Sequence, residues 1–432
     1  MSPVTAALLL TTTIAGQVPH QERNVPMWVT MSKAEPTMAN QRARDLGIRF
    51  RGTPGTSKNC ISDVSGVGVG HSTIIGGQLI PQVATNRNMP AVVDPTVNTG
   101  VTVIVPNSGS SLQSVVNCGF FSLNGNGEMT GTHLIEESGI LQGPIVLTNT
   151  ASLGTVRSHI IQYGLNHNVS GYLLPVVAET DDSLLNKVAT DSITQDMVES
   201  AYAYANDPNN PVSAVEGSVG GGTGMTCYDW KGGIGTSSRQ VKVKGIRHDG
   251  TKLNDQKVIV GVLVQANQGT YDELVVMGVP IGRITGFPIP NLPRDRSPRR
   301  KRSHSSIIVV IATDAPLQPH QLKRLARRGG LGIGRTGTST HDDSGELCIA
   351  FSTSFTTDVL NSSNHGLAYI DNDAMDTLST ATVQATEEAI INALLAATEV
   401  TGPGNYTATK LPAEKLVDTL NNYNPMTTNF VD

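Results

Sequence analysis

The chain reads as an α/β or layered α+β protein, and three observations say so. Apolar runs rich in valine and isoleucine recur along it, bounded by glycine, asparagine or aspartate. Two segments between and after these runs repeat their apolar residues at helical spacing. Glycine is abundant (44 residues) while charged residues are only 16%, a composition suited to tight turns and close backbone approach.

In chain order, β-like runs occupy residues 101–106, 144–149, 171–180, 258–267, 306–314 and 347–354. Several are apolar almost throughout, as expected of strands buried on both faces. Residues 318–328 form the first helix, with Leu322 and Leu325 on one face and Gly329-Gly330 as its stop. Residues 383–397 form the second, through Ala389, Ile390, Leu394 and Leu395, and Pro403-Gly404 closes the region. Ordered structure is expected to start near Asp45.

The 432 residues allow two or three domains or one large α/β unit. A net charge of −5 with recurring apolar runs excludes a disordered chain. No apolar run approaches the roughly 18 residues of a membrane span, and a pI near 6.1 argues against a nucleic-acid binder. Cys60, Cys118, Cys227 and Cys348 are too scattered for a zinc site or disulfide framework, so buried free thiols are expected. The ten histidines contain no metal-binding pair. The first 21 residues lack the basic start of a secretory signal, which favours a cytoplasmic location over secretion. The tripeptides at Asn168, Asn361 and Asn405 matter only in a secreted chain.

Residues 288–306, PIPNLPRDRSPRRKRSHSS, stand apart, with six basic residues between Arg294 and Arg302. They read as a solvated surface loop. The Gly-rich stretch from Glu216 to Gly224 reads either as a phosphate-cradling loop or as a close-packed turn, and no GxxxxGK[ST] accompanies it. No GxSxG nucleophile elbow is present. A Ser–His–Asp triad in another sequence order stays open, since triads are defined by geometry; the other route to a nucleophile is Ser306, which immediately precedes Ile-Ile-Val-Val-Ile. Cutting the Ser305–Ser306 bond gives Ser306 a free α-amine, with a reference pKa of about 8, as its own base. By composition alone, such a serine is more often a turn residue.

The neighbouring residues change that weighing. The chain carries Arg51-Gly-Thr-Pro-Gly55, Ile61-Ser-Asp-Val-Ser-Gly-Val-Gly-Val-Gly-His71, Asn124-Gly-Asn-Gly-Glu-Met-Thr-Gly131 and Leu147-Thr-Asn-Thr150. It continues with Gly220-Gly-Gly-Thr-Gly-Met225, Lys231-Gly-Gly-Ile-Gly-Thr-Ser-Ser-Arg239, Gly261-Val-Leu-Val-Gln-Ala-Asn267 and Ser306-Ile-Ile-Val-Val310. Ala312-Thr-Asp-Ala-Pro-Leu317, Ser344-Gly-Glu346 and Ala350-Phe-Ser-Thr353 complete the order. From about Asp45 to Ala397 the sequence resembles the L-aminopeptidase/D-amidase-esterase and β-aminopeptidase (DmpA-like) family of self-processing hydrolases.

The resemblance implies a layered α/β sandwich, two central β-sheets flanked by helices, like N-terminal-nucleophile hydrolases but with different connectivity. It divides the chain into an extension (1–44), an α-chain part (45–305) ending in the basic loop, and a β-chain part (306–432) that starts at the nucleophile. It implies release of N-terminal residues from peptides, amides or esters, no metal or organic cofactor, and a homo-oligomer of αβ units. Matched residue by residue, Ser306 is the nucleophile, Ser344 and Glu346 its supporting pair, and Asn267 an oxyanion donor. Glu179 is the carboxylate for the substrate's amine. An acyltransferase sharing the acyl-enzyme, or a ligand-binding relative that does not cleave, is the alternative reading. Two residues depart from the pattern. Asp181 stands where the family usually has tyrosine, and its carboxylate is expected to oppose a developing oxyanion. Ser305 stands where glycine or asparagine is common, and slower self-cleavage is expected.

Overall fold

The computed structural model describes residues 41–81, 94–169, 171–188, 192–210, 215–247, 252–292, 305–356 and 368–426. The strands are β1 (Gly68–Ile75), β2 (Gln78–Pro81), β3 (Thr99–Val105), β4 (Val115–Gly125), β5 (Ile140–Gln142), β6 (Ile145–Asn149) and β7 (Val176–Thr180), then β8 (Thr226–Cys227), β9 (Trp230–Lys231), β10 (Gly233–Arg247), β11 (Lys252–Asn267), β12 (Ser306–Thr313), β13 (Gly345–Thr356) and β14 (Ala368–Ile370). The helices are α1 (Thr132–Ser138), α2 (Leu153–Asn166), α3 (Gln195–Asn206), α4 (Pro319–Arg335), α5 (Met375–Leu395) and α6 (Ala413–Asn422).

Two sheets carry the fold. One runs β2-β1-β3-β6-β7 and the other β14-β10-β11-β12-β13-β4-β5. Each holds one parallel pair, β6 with β7 and β12 with β13, and in each the connection contains a helix, α2 or α4. A parallel pair needs such a crossover, whereas the antiparallel pairs do not.

The apolar runs of the sequence work as two-faced strands. Ile307, Val309 and Ile311 of β12 pack with Leu322 and Leu325 of α4 and Ala389 and Ile390 of α5. The alternate residues Ile308, Val310 and Ala312 pack against Ile104, Ile145 and Ala178 of the smaller sheet. Val101, Val146 and Val177 on that sheet's other face meet Val156 and Ile160 of α2 and Val198 of α3. The order is therefore helices, sheet, sheet, helices. Period-two alternation sends successive β12 side chains into different layers, which is why no polar residue interrupts the run.

Several boundaries differ from the sequence reading. Helix α4 does not stop at Gly329-Gly330 but runs on to Arg335. Those glycines serve packing: a Cβ on Gly329 would lie 3.0 Å from Sγ of Cys348 and one on Gly330 3.0 Å from Cδ2 of Leu123, while one on the nearby Gly332 would lie 2.4 Å from Cβ of Thr386 on α5. Helix α5 begins eight residues before 383, at Met375. Of residues 171–180 only the last five are strand. Strand β10 went unread because Thr236, Ser237, Ser238 and Arg239 look like surface, yet all four are fully buried. Their polar atoms are satisfied inside: Thr236 donates to the Val262 carbonyl at 2.6 Å and Ser237 to that of Ala385 at 2.8 Å. The four cysteines are buried free thiols. The basic cluster from Arg294 to Arg302, the N-terminal extension up to residue 40 and Asn361 lie outside the described residues.

Candidate active site

The ends of four neighbouring strands meet at one end of the larger sheet. Ser306 opens β12, opposite Asn267 at the end of β11 and beside Gly345 at the start of β13. Glu346 pairs in turn with Asn124 near the end of β4. The backbone register thus gathers Asn124, Asn267, Ser306, Gly345 and Glu346, which are widely separated in sequence.

The Ser305–Ser306 bond lies at the centre. The Ser306 hydroxyl donates to the Ser305 carbonyl oxygen at 2.6 Å, and the Gly345 N–H donates to the same oxygen at 3.3 Å. Nucleophile and a backbone donor therefore already address one carbonyl. The Ser305 hydroxyl accepts the Gly269 N–H at 3.2 Å and lies 3.1 Å from Oγ of Ser344.

Ser344 donates to Oε1 of Glu346. Both residues are fully buried, and burial pushes the Glu346 carboxyl above its usual pKa. The Asn124 amide spends its two hydrogens on the carbonyls of His341 (2.7 Å) and Ser344 (2.6 Å), which fixes the loop before β13. Oε2 of Glu346 is left with no hydrogen-bond partner among the described residues. His341 also reaches Glu273 at 3.1 Å, tying that loop to the one that follows Gly269.

The Asn267 amide nitrogen donates to the Asp181 carbonyl at 2.9 Å, and its oxygen accepts the Thr226 N–H at 2.8 Å. The Asp181 carboxylate caps its own turn, taking the Ser183 N–H at 2.7 Å, so Asp181 meets Asn267 through its carbonyl. Glu179 is buried, accepts the Glu128 N–H at 2.8 Å and receives a hydrogen bond from Thr150. Burial raises its pKa, opposed by those two bonds. Gly127 links Glu179 to the strand ends: a Cβ there would stand 3.4 Å from Oε1 of Glu179 and 3.5 Å from Cα of Gly345.

The structure thus brings Ser305, Ser306, Ser344 and Glu346 into one hydrogen-bonded group, places Asn267 beside it in register, and connects Glu179 through Gly127. The Gly345 and Gly269 N–H donors were missed because backbone donors leave no trace in residue type. Thr150, Asn124 and Glu128 do lie within motifs visible in the sequence, though without a stated role.

The Gly-rich stretch is the close-packed turn and not a phosphate cradle. Gly220, Gly221 and Gly222 are buried, and a Cβ on Gly221 would fall 2.1 Å from Oε1 of Gln265. The fully buried Lys231 ammonium fastens the turn through the carbonyls of Gly222, Met225 and Gly232, at 3.2, 2.9 and 2.9 Å. That contact holds Met225 directly before Thr226, whose N–H orients Asn267.

Among the described residues no three His, Cys, Asp or Glu side chains gather as a metal site. The chemistry available is that of a serine hydroxyl on a carbonyl, backbone donors at the oxygen, and a buried carboxylate reached through a second hydroxyl.

The chain is similar to known proteins over most of its length. The family model of peptidase family S58 matches residues 59–408. A β-peptidyl aminopeptidase, BapA, of Sphingosinicella xenopeptidilytica is 40% identical over 401 residues, covering 89% of this chain and 92% of that protein. The solved L-aminopeptidase D-Ala-esterase/amidase of Ochrobactrum anthropi, described as a prototype for the serine aminopeptidases and a new variant of the Ntn (N-terminal-nucleophile) hydrolase fold, is 38% identical with a TM-score of 0.72, covering 88% of this chain and 98% of its own. A Burkholderia sp. β-aminopeptidase is also 38% identical, with a TM-score of 0.71, covering 89% of this chain and all of its own. With a helix–sheet–sheet–helix sandwich, a serine opening a central strand and a family match across most of its length, the chain belongs to peptidase family S58 and is a serine aminopeptidase of the Ntn-hydrolase type.

Proposed function

We propose that the chain cuts itself between Ser305 and Ser306 and that the freed Ser306 then attacks the first carbonyl of peptide, aminoacyl amide or ester substrates. The observation that carries this reading is the Ser306 hydroxyl, 2.6 Å from the oxygen of the carbonyl it would attack, with the Gly345 N–H on that same oxygen. In the self-cleavage step Oγ of Ser306 bonds to the Ser305 carbonyl carbon and the peptide C–N bond breaks. The hydroxyl proton ends on the new α-amine. Water then hydrolyses the ester, leaving a carboxylate on Ser305 and the hydroxyl on Ser306.

In turnover the α-amine takes the Ser306 proton as base and returns it to the leaving group. Ser344 orients that amine, and Glu346 stabilises it as it becomes cationic. Oε2 of Glu346, without a hydrogen-bond partner among the described residues, supports this role, since cleavage creates a new cationic donor nearby. Asn267, with the Gly345 N–H, carries the oxyanion. Glu179 holds the substrate's ammonium, which limits the enzyme to N-terminal residues. The named activities of the β-peptidyl aminopeptidase and the aminopeptidase/esterase relatives support a substrate class of N-terminal α- or β-amino acyl groups.

A denaturing gel with N-terminal sequencing tests the first step. Two fragments are expected, the smaller beginning Ser-Ile-Ile-Val, and Ser306→Ala should leave one uncut chain. A fragment that begins at Ser305 moves the nucleophile and overturns the assignment.

A further inference from the structure

We propose that Ser305 is a positioning residue for self-cleavage, its hydroxyl clamping the acyl side of the scissile bond between Gly269 and Ser344. The inference rests on the self-cleavage reading above and adds a residue to it.

Residue 305 is held at three points. Its carbonyl oxygen takes the Gly345 N–H at 3.3 Å, its hydroxyl takes the Gly269 N–H at 3.2 Å, and that hydroxyl lies 3.1 Å from Oγ of Ser344. Ser344 and Ser305 have one hydroxyl proton each. Ser344 is in contact with the buried Glu346 carboxylate, where a charge-assisted bond takes its proton. Ser305 then donates to Ser344 and accepts from Gly269. The result is a chain of donors from Gly269 N–H through Ser305 and Ser344 to Glu346, with each hydroxyl both giving and receiving.

The Gly269 donor is itself fixed. The residue has φ +77°, and a Cβ there would come within 2.4 Å of the Tyr228 ring, so the ring backs the turn. Tyr228 in turn donates its N–H to the Gln268 carbonyl at 2.7 Å and bonds Thr336 through its hydroxyl at 2.7 Å.

The chemical consequence is orientation. When Oγ of Ser306 bonds to the Ser305 carbonyl carbon, that carbon must present one face while its oxygen stays on Gly345. A side chain pinned from two loops removes rotation of the acyl group and keeps this geometry populated. Glycine or alanine at 305 leaves the Gly269 N–H and Ser344 without this partner. Serine, unusual at this position for the resemblance, is thus matched to its surroundings.

The test follows precursor conversion in freshly synthesised full-length chain for wild type, Ser305→Ala and Ser305→Thr, with Ser306→Ala as the uncut control. Ser305→Ala should convert about tenfold more slowly, the loss of a small set of hydrogen bonds. Ser305→Thr, which keeps the hydroxyl, should recover most of the rate. Melting temperatures measured in the Ser306→Ala background should fall by no more than about a few degrees with alanine at 305, the cost of its lost hydrogen bonds. A Ser305→Ala chain that converts at the wild-type rate, one that threonine does not rescue, or one that melts about ten degrees or more early overturns the proposal. Cleavage that persists in Ser306→Ala overturns the self-cleavage reading instead.

Discussion

Glu346 has one oxygen on Ser344 and one without a hydrogen-bond partner among the described residues, and burial already raises its pKa. A carboxylate beside the Ser306 amine favours the ammonium, so it raises the amine's resting pKa. Glu346→Gln removes that effect, and the ascending limb of the pH–rate profile should move toward lower pH. The same change should lower kcat about tenfold with little change in KM, because the interaction strengthens as charge develops. Both are read with a chromogenic aminoacyl amide on processed enzyme, and a wild-type kcat with an unmoved limb would separate Glu346 from the base. Glu179 is tested by its partner. A charge-assisted bond is worth about 1.5–3 kcal/mol, so Glu179→Gln should cost at least tenfold in kcat/KM on free-amine substrates and far less on N-acetylated ones. Equal losses on both would make Glu179 a scaffold residue that only holds Thr150 and the Glu128 N–H. Glu179, Glu346 and Ser306 were nameable as candidates in the sequence because the motifs that carry the resemblance contain them. The donors on Gly269 and Gly345 were not, because any residue type carries an N–H.

At the scale of elements, α5 is bound to the larger sheet by charge as well as by apolar packing. Glu388 on α5 bonds Arg239 of β10 at 2.6 Å, Arg44 at 2.7 and 2.9 Å, and the Asn59 amide at 2.6 Å. Both Glu388 and Arg239 are fully buried. Burial opposes the Glu388 charge, but Arg239 and Arg44 overcome it and hold the carboxyl below its usual pKa. A depressed pKa means this contribution is complete above the unfolded value, about 4.3, and is lost as pH falls through the folded one. Glu388→Gln leaves a buried guanidinium short of its counter-charge and should cost about 3 kcal/mol at neutral pH by denaturant unfolding. Its acid sensitivity in that window should be weaker than that of the wild type. An unchanged midpoint would show that apolar packing alone holds α5 to the sheet. This network also explains why β10 was illegible: Arg239 reads as surface until Glu388, far along the chain, is placed against it.

At the scale of the whole molecule, the cut would fall inside a shared core. Strand β12 starts at Ser306 and lies between β11, from before the cut, and β13, with eight register pairs on each side. Its alternate residues also belong to two apolar clusters built from both parts of the chain. The two fragments should therefore co-elute by gel filtration without denaturant and separate only on unfolding. Fragments that part under native conditions would show that the 305–306 peptide bond is needed for assembly.

The sequence by itself determined the apolar strand runs and the family resemblance, and through that resemblance the candidate nucleophile and carboxylates, because residue type and short-range order carry that information. Tertiary structure alone decided that α4 passes through Gly329-Gly330, that the Gly220–Gly224 turn is filled and not a phosphate loop, and that Ser305 is bonded from two loops. Each depends on what a distant segment puts against the residue: Cys348 and Leu123 for the helix glycines, Gln265 and Lys231 for the turn, Gly269 and Ser344 for Ser305. Glycine, lysine and serine take opposite roles in solvent and in close packing. Only the packed partner determines which one applies.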